Sequence, residues 1–213
     1  MDREQRAVNE APAMLRRDDD AAVRPQLAGY AAVFGQETVI RTAFGDFREV
    51  IEPGAFTASL ASDVRAVINH DPNLLLGRTT SGTLRLSEDT HGLRYEVDPP
   101  DTSYADDLLV SVQRGDITQS SFAFSIPEDG QVWDKPTRRG DLPLRRIRKV
   151  ELYDVSPVTY PAYSQTSVSA RASEMAHALT VTTDCEPPAA SDADGAIERE
   201  HARLRVQLRA WEA

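Results

Sequence analysis

Cysteine and long apolar runs are scarce in this chain, and each scarcity argues against a class of protein. Cys185 is the only cysteine among the 213 residues, so the chain cannot form an intramolecular disulfide or a cysteine metal cage. This usage is typical of a reducing cytoplasm. No stretch approaches the roughly 20 consecutive apolar residues that a membrane-spanning helix needs. The absences predict a cytoplasmic protein with no membrane partner.

Lysine is also rare, and acidic residues outnumber basic ones. Lys135 and Lys149 are the two lysines, and the formal net charge is −10. A negative chain is not attracted to nucleic-acid phosphates, so we expect no nucleic-acid partner. The sequence has no clustered His/Cys set, no HExxH motif and no Gly-rich phosphate loop. We therefore expect no metal and no cofactor.

The composition divides the chain into three parts. Residues 1–24 are charged and lack a sustained apolar face, which predicts a flexible leader. Residues 25–170 contain the strand-like patterns and are expected to form the folded domain. Residues 171–213 begin as an acidic, proline-containing linker and end in a predicted amphipathic helix at 196–212.

Within the folded domain, many short strands are interrupted by two short helices. Residues 83–97 alternate apolar and polar side chains on both sides of a turn, which predicts a β-hairpin. A helix is predicted to begin near Thr102 and to end at Gly115. The pattern favours an α+β fold that is mainly β: a closed or nearly closed β-barrel edged by helices, with flexible tails at both ends.

The chemistry most consistent with the strand pattern is nucleophilic catalysis by serine. His70 follows an apolar strand and precedes a turn, which is an unusual position for a core side chain. Ser121 lies in an alternating strand, on the same face as Ala123 and Ser125, where small side chains leave room for a substrate. A serine nucleophile needs a base, and His70 is the candidate for that role.

The base in turn needs a third group to orient it, and several acids qualify. The strand "VELYDVS" carries Glu151 and Asp154, and Asp71 lies directly beside His70. A carboxylate on a third strand would complete a Ser-His-acid arrangement. The pattern alone leaves the choice open.

Four segments, taken in order, resemble the prohead (capsid maturation) proteases of tailed bacteriophages. They are "GYAAVFG", "EVIEPGAF", the long run from "NHDPNLLLGR" to "SSFAF", and "VELYDVSPVTYPAY". The resemblance implies the fold of herpesvirus assemblins, with His70 as base and Ser121, rather than Ser120, as nucleophile. It places the acid at Asp154, where the family usually has Glu.

The resemblance also implies the biology. The expected activity is that of a serine endopeptidase that cuts scaffold, the scaffolding segment of the major capsid protein, and itself. The expected place is the host cytoplasm, inside the assembling procapsid, and a homo-oligomer such as a dimer is expected.

The oxyanion donor is expected to be a backbone N–H beside the "SSFAF" strand or an arginine of "RRIR". The alternative is an inactive capsid-assembly protein that retains the barrel, and a more remote one is an unrelated β-barrel binding module.

Overall fold

The computed structural model describes residues 3–15, 25–42, 45–160 and 179. The described part contains thirteen strands, one α-helix, and two 3₁₀ turns at Thr57–Ser59 and Thr79–Ser81. The strands are β1 (Glu4–Val8), β2 (Ala13–Leu15), β3 (Gln26–Val33), β4 (Thr38–Ile40), β5 (Phe47–Ile51), β6 (Arg65–Ile68), β7 (Asp71–Arg78), β8 (Leu84–Glu88), β9 (Gly92–Val97), β10 (Gln119–Ser125), β11 (Gln131–Asp134), β12 (Leu144–Ile147) and β13 (Glu151–Val158); the helix is α1 (Ser103–Arg114).

The strands form three sheets. Their orders are β1-β10-β13-β6-β7, β11-β12-β5-β4 and β2-β3-β9-β8. The mainly-β, α+β class expected from the sequence is confirmed. The closed or nearly closed barrel is not: a barrel requires the outer strands to pair with each other, and each of the three sheets keeps two outer strands, such as β1 and β7.

Apolar faces of the sheets meet in one main core. Phe122 and Phe124 of β10 are fully buried there and stack with ring centroids 4.9 Å apart. Phe56 packs edge-on against Phe122 at 5.4 Å. Because side chains alternate along a strand, this anchoring of β10 directs Ser121 and Ala123 to the opposite face.

The predicted helix and hairpin are confirmed. Helix α1 has Thr102 at its N-cap and ends at Gly115, whose φ of 79° is the left-handed conformation that glycine adopts without strain. Its buried residues are Ala105, Leu108, Leu109 and Val112. Strands β8 and β9 pair antiparallel, as the alternation predicted.

The structure differs from the expected flexible leader at two segments. Strand β1 pairs with β10, and β2 pairs with β3. The sequence did not indicate β1 because its buried residues are Glu4 and Arg6, so that no apolar pattern marks the strand. The predicted linker and the helix at 196–212 lie outside the described residues.

Four buried charges connect β1 to β5 and β12. Arg6 binds Glu49 through Nε–Oε1 at 2.6 Å and Glu4 through Nη2–Oε2 at 2.7 Å. Arg145 Nη1 donates to Glu4 at 2.9 Å and to Glu49 at 3.0 Å. Burial alone would raise the pKa of Glu4, but Arg145 and Arg6 outweigh it and the pKa lies below its usual value. Two cations and two anions therefore balance inside the protein.

Removing one cation from this cluster should be strongly destabilising. We expect Arg145→Met to lower the free energy of unfolding by about 3–5 kcal/mol, because one carboxylate would be left buried without a counter-charge. The control is Arg78→Met, which breaks an exposed pair with Asp63 and should leave the urea midpoint almost unchanged. Urea denaturation measures both, and equal losses would contradict the prediction.

Candidate active site

Three segments of the five-stranded sheet bring the candidate residues together. Strand β10 carries Ser121, its antiparallel neighbour β13 carries Asp154, and β6 runs parallel to β13 and ends just before His70. In the register, Ser121 is opposite Ser156, and Ala123 is opposite Asp154. The tertiary pairing therefore joins residues that are far apart in the chain.

The side chain of Ser121 meets the imidazole of His70. Ser121 Oγ lies 2.7 Å from His70 Nε2, and the residue is only 1% exposed. The neighbouring Ser120 points to the other face, where its Oγ lies 2.9 Å from the hydroxyl of Tyr95. Burial raises the pKa of Tyr95, so this hydroxyl is a neutral hydrogen-bonding partner. Of the two serines, Ser121 is the one placed beside an imidazole.

The turn that carries His70 has an unusual backbone. Asn69 and His70 have φ values of 51° and 59°, in the left-handed region that few residues other than glycine adopt. Asn69 tolerates this conformation and ties the turn to Thr159, the residue that follows β13: its Oδ1 accepts hydrogen bonds from the backbone N and the Oγ1 of Thr159, both at 2.9 Å. The strained turn holds His70 over the sheet, pointing at Ser121.

Asp154 completes the arrangement from the other side of the imidazole. His70 Nδ1 lies 2.6 Å from Asp154 Oδ1, and Asp154 is 4% exposed. Ser156 Oγ donates to Asp154 Oδ1 at 3.2 Å and accepts from the backbone N of His70 at 3.3 Å. Arg3, the residue directly before β1, donates a hydrogen bond from Nη2 to Asp154 Oδ2.

The other two candidate acids lie elsewhere. Glu151 is opposite Ser125, the last residue of β10, and accepts a hydrogen bond from its Oγ at 3.2 Å. Asp71 accepts hydrogen bonds from the backbone and side-chain nitrogens of Asn73, both at 2.9 Å. Of the three, Asp154 alone has a hydrogen bond to His70 among the described contacts.

The chain of contacts Ser121–His70–Asp154 can move a proton. With its Nδ1 hydrogen donated to Asp154, the imidazole presents the lone pair of Nε2 to the Ser121 hydroxyl. Near-complete burial strengthens these hydrogen bonds, since little water competes for them. The arrangement has the geometry of a nucleophile, a base and an orienting acid.

A cavity of about 500 Å³ opens beside His70. Its lining includes the apolar side chains of Val67, Pro72 and Leu75 and the cationic side chains of Arg65 and Arg78. The cavity also reaches Asp154 and Arg3. Its volume is large enough for one amino-acid side chain beside His70 and Asp154.

The arginines of "RRIR" are occupied by other carboxylates. Arg145 is buried against Glu4 and Glu49, while Arg146 binds Asp134 at 2.6 Å. Arg148 binds Glu52 at 2.9 Å. The expectation that one of them serves as oxyanion donor thus finds no support in these contacts, and the backbone N–H alternative stays a prediction.

Two classes of site do not occur in the described part of the chain. No group of three or more His, Cys, Asp or Glu side chains is arranged there to hold a metal ion. No helix within the same residues is both long and apolar enough to cross a membrane.

Three residues of the site were not expected from the sequence. Ser156 follows Asp154 by two positions and so shares its face, a signal that strand alternation does contain. Asn69 could have been noticed as a residue type that tolerates positive φ. Arg3 had no signal, because nothing in the pattern placed the start of the chain beside Asp154.

Comparison with known proteins identifies the family of the chain. The model of the caudovirus prohead serine protease family matches residues 12–180, which include every strand that carries a candidate residue. No curated protein and no solved structure matches the chain. Because the family model spans well over half of the sequence, the chain belongs to the caudovirus prohead serine proteases and is a serine peptidase.

Proposed function

We propose that the protein is a maturation protease that cuts scaffold, the scaffolding segment of the major capsid protein, and itself. The observation that carries the proposal is the continuous hydrogen-bonded chain from Ser121 Oγ through His70 to Asp154, with contacts of 2.7 and 2.6 Å. Membership of the prohead protease family supports the choice of substrates. The reaction is peptide-bond hydrolysis by an acyl-enzyme route.

In the proposed mechanism, His70 Nε2 takes the proton of the Ser121 hydroxyl as its oxygen attacks the scissile carbonyl carbon. The resulting imidazolium is stabilised by Asp154, and it then protonates the leaving amine. Water attacks the acyl-enzyme next, giving its proton to His70. Collapse of the second intermediate releases the new carboxyl end and returns the proton to Ser121.

Asp154 is the proposed orienting acid despite being shorter than the glutamate that the resemblance leads us to expect. Its position on β13, opposite Ala123, brings Oδ1 within 2.6 Å of the imidazole, so the shorter side chain spans the gap. Ala123 in place of the family's frequent glycine keeps that position small. Neither difference disturbs the hydrogen-bonded chain.

The proposed setting is the assembling procapsid in the host cytoplasm, where capsid and scaffold proteins are concentrated around the enzyme. Residues 25–170 are proposed as the protease domain, and residues 171–213 as a tail that incorporates the enzyme and is later removed. A dimer is proposed from the assemblin resemblance alone.

Co-expression with the capsid and scaffold proteins of the same phage tests this function. Intact-mass spectrometry should find discrete truncations with wild-type protease and none with Ser121→Ala. Truncations that are identical with both proteins would belong to a host protease. Full-length masses throughout, together with normal procapsid assembly, would favour the inactive assembly protein.

Asn69 should act as a positioning residue. We expect Asn69→Ala to slow scaffold cleavage by about 10- to 100-fold, because displacing a reacting group by about 1 Å costs on that order. The rate of cleavage should fall less in Asn69→Gly, since glycine tolerates a φ of 51° although it lacks the contacts to Thr159. The matched control is Asn73→Ala, four residues later in β7, where the side chain contacts Asp71. Equal rates for Asn69→Ala and wild type would contradict this role.

A further inference from the structure

Strand β1 occupies the edge of the strand that carries Ser121. In the five-stranded sheet, β13 covers one side of β10 and β1 covers the other, with Ala7 directly opposite Ser121. Because β1 is the outermost strand, its removal would expose the backbone N–H and C=O groups of β10 beside the nucleophile. An exposed strand edge is a surface to which an extended peptide can add by backbone pairing.

The contacts of Ser121 show what this occupancy does to the hydroxyl. Ser121 Oγ donates to the carbonyl oxygen of Arg6 at 2.8 Å, while the same oxygen lies 2.7 Å from His70 Nε2. A hydroxyl has one hydrogen and cannot donate to both acceptors at once. While the Ser121 hydroxyl donates its hydrogen to the Arg6 carbonyl, it cannot donate the same hydrogen to His70 Nε2, so β1 competes directly with the base.

A second contact from the same segment reaches the acid. Arg3 binds Asp154 Oδ2, on the carboxylate whose other oxygen holds His70. Residues 3–8 thus contact both ends of the Ser121–His70–Asp154 chain. They also cover Ser121, which is 1% exposed.

The way in which β1 is held is compatible with its release. The buried side chains of β1 are Glu4 and Arg6, one anion and one cation. Their departure would leave Glu49 and Arg145 bound to each other at 3.0 Å, so no buried charge would lose its partner. Two charged side chains also regain hydration in water, unlike the apolar side chains of an ordinary core strand.

We infer that the β10 edge is the peptide-binding edge of the enzyme and that residues 3–8 are its intramolecular occupant, which must leave before a substrate segment can pair there. This inference rests on the proposed function. The free edge takes an extended segment of a protein substrate, whose scissile carbonyl replaces that of Arg6 beside Ser121. The described conformation is then the inhibited one.

A reversible lock tests this directly. Gln5 and Ala123 are paired across β1 and β10, so Gln5→Cys with Ala123→Cys can form a disulfide that fixes β1 in place. The matched control lock is Ser87→Cys with Arg94→Cys across β8 and β9. Both are made in full-length protein carrying Cys185→Ser. Cleavage of purified scaffold protein is measured for each variant, oxidised and reduced.

We expect oxidation to slow the β1–β10 variant by at least about 100-fold, with recovery on reduction, and to change the control less than about twofold. Glu4→Gln, which removes the charge that ties β1 to Arg145 and contacts neither His70 nor Asp154, should raise the rate of cleavage several-fold. Full activity of the oxidised β1–β10 variant, or a loss of activity in a folded Glu4→Gln protein, would overturn the inference while leaving the protease assignment intact. Absence of cleavage by every protein, wild type included, would refute the proposed function and the inference with it.

Discussion

Replacing Ser121 with alanine should abolish scaffold cleavage, with kcat reduced by about 10⁶-fold. Removal of the nucleophile or of its base in serine enzymes of this design costs about that much, since neither remaining partner can form the acyl-enzyme. We expect His70→Ala to reduce kcat by the same factor, and the Ser121→Ala/His70→Ala double variant to have a kcat no lower than that of either single variant. A quenched assay on purified scaffold measures all three rates.

The matched control is Ser120→Ala, one position earlier in the same strand. Ser120 Oγ contacts the hydroxyl of Tyr95 at 2.9 Å and the carbonyl oxygen of Glu10 at 3.5 Å, so its loss removes these two hydrogen bonds and leaves His70 untouched. We expect a stability cost of about 1 kcal/mol and near-normal cleavage. Loss of cleavage in Ser120→Ala with retention in Ser121→Ala would move the nucleophile to Ser120.

Asp154→Asn should be the second largest effect, a fall of about 10⁴-fold in kcat. An asparagine amide can donate to Nδ1, and the imidazole then carries its hydrogen on Nε2. In that tautomer Nε2 cannot accept the Ser121 proton, although the shape of the site is unchanged. Circular dichroism and the urea midpoint should match the wild type, which separates this loss from unfolding.

Two further substitutions decide among the three candidate acids. Glu151→Gln and Asp71→Asn remove the carboxylates that bind Ser125 and Asn73 instead of His70, so each should change the rate by no more than about twofold. A loss in either variant comparable with that of Asp154→Asn would show that the orienting acid had been misplaced.

Much of the site was predictable because alternation along a strand depends on local sequence. In any strand, the pattern "SSFAFS" places Phe122 and Phe124 on the face opposite to Ser121, and the two phenyl rings are buried in the core. Helix α1 and the β8–β9 hairpin were predictable for the same reason. Their periodicity and their turn residues lie within a short window.

The choice among acids could not come from the sequence alone. Asp71 is the nearest carboxylate to His70 in the chain, yet it accepts its hydrogen bonds from Asn73 and not from His70. Asp154 is far away in sequence and becomes the partner because β13 lies between β10 and β6. Strand order is decided by long-range pairing, which no local pattern contains.

By itself, then, the sequence determined a mainly-β chain, the face of β10 on which Ser121 stands, and the residue types needed for a serine peptidase. The tertiary structure alone decided the open arrangement of three sheets, the selection of Asp154, and the presence of β1 on the edge of β10. The physical reason is the same in each case. Backbone pairing and buried ion pairs such as Arg6–Glu49 join residues that are distant in the chain, and their energies depend on neighbours that hydropathy does not specify.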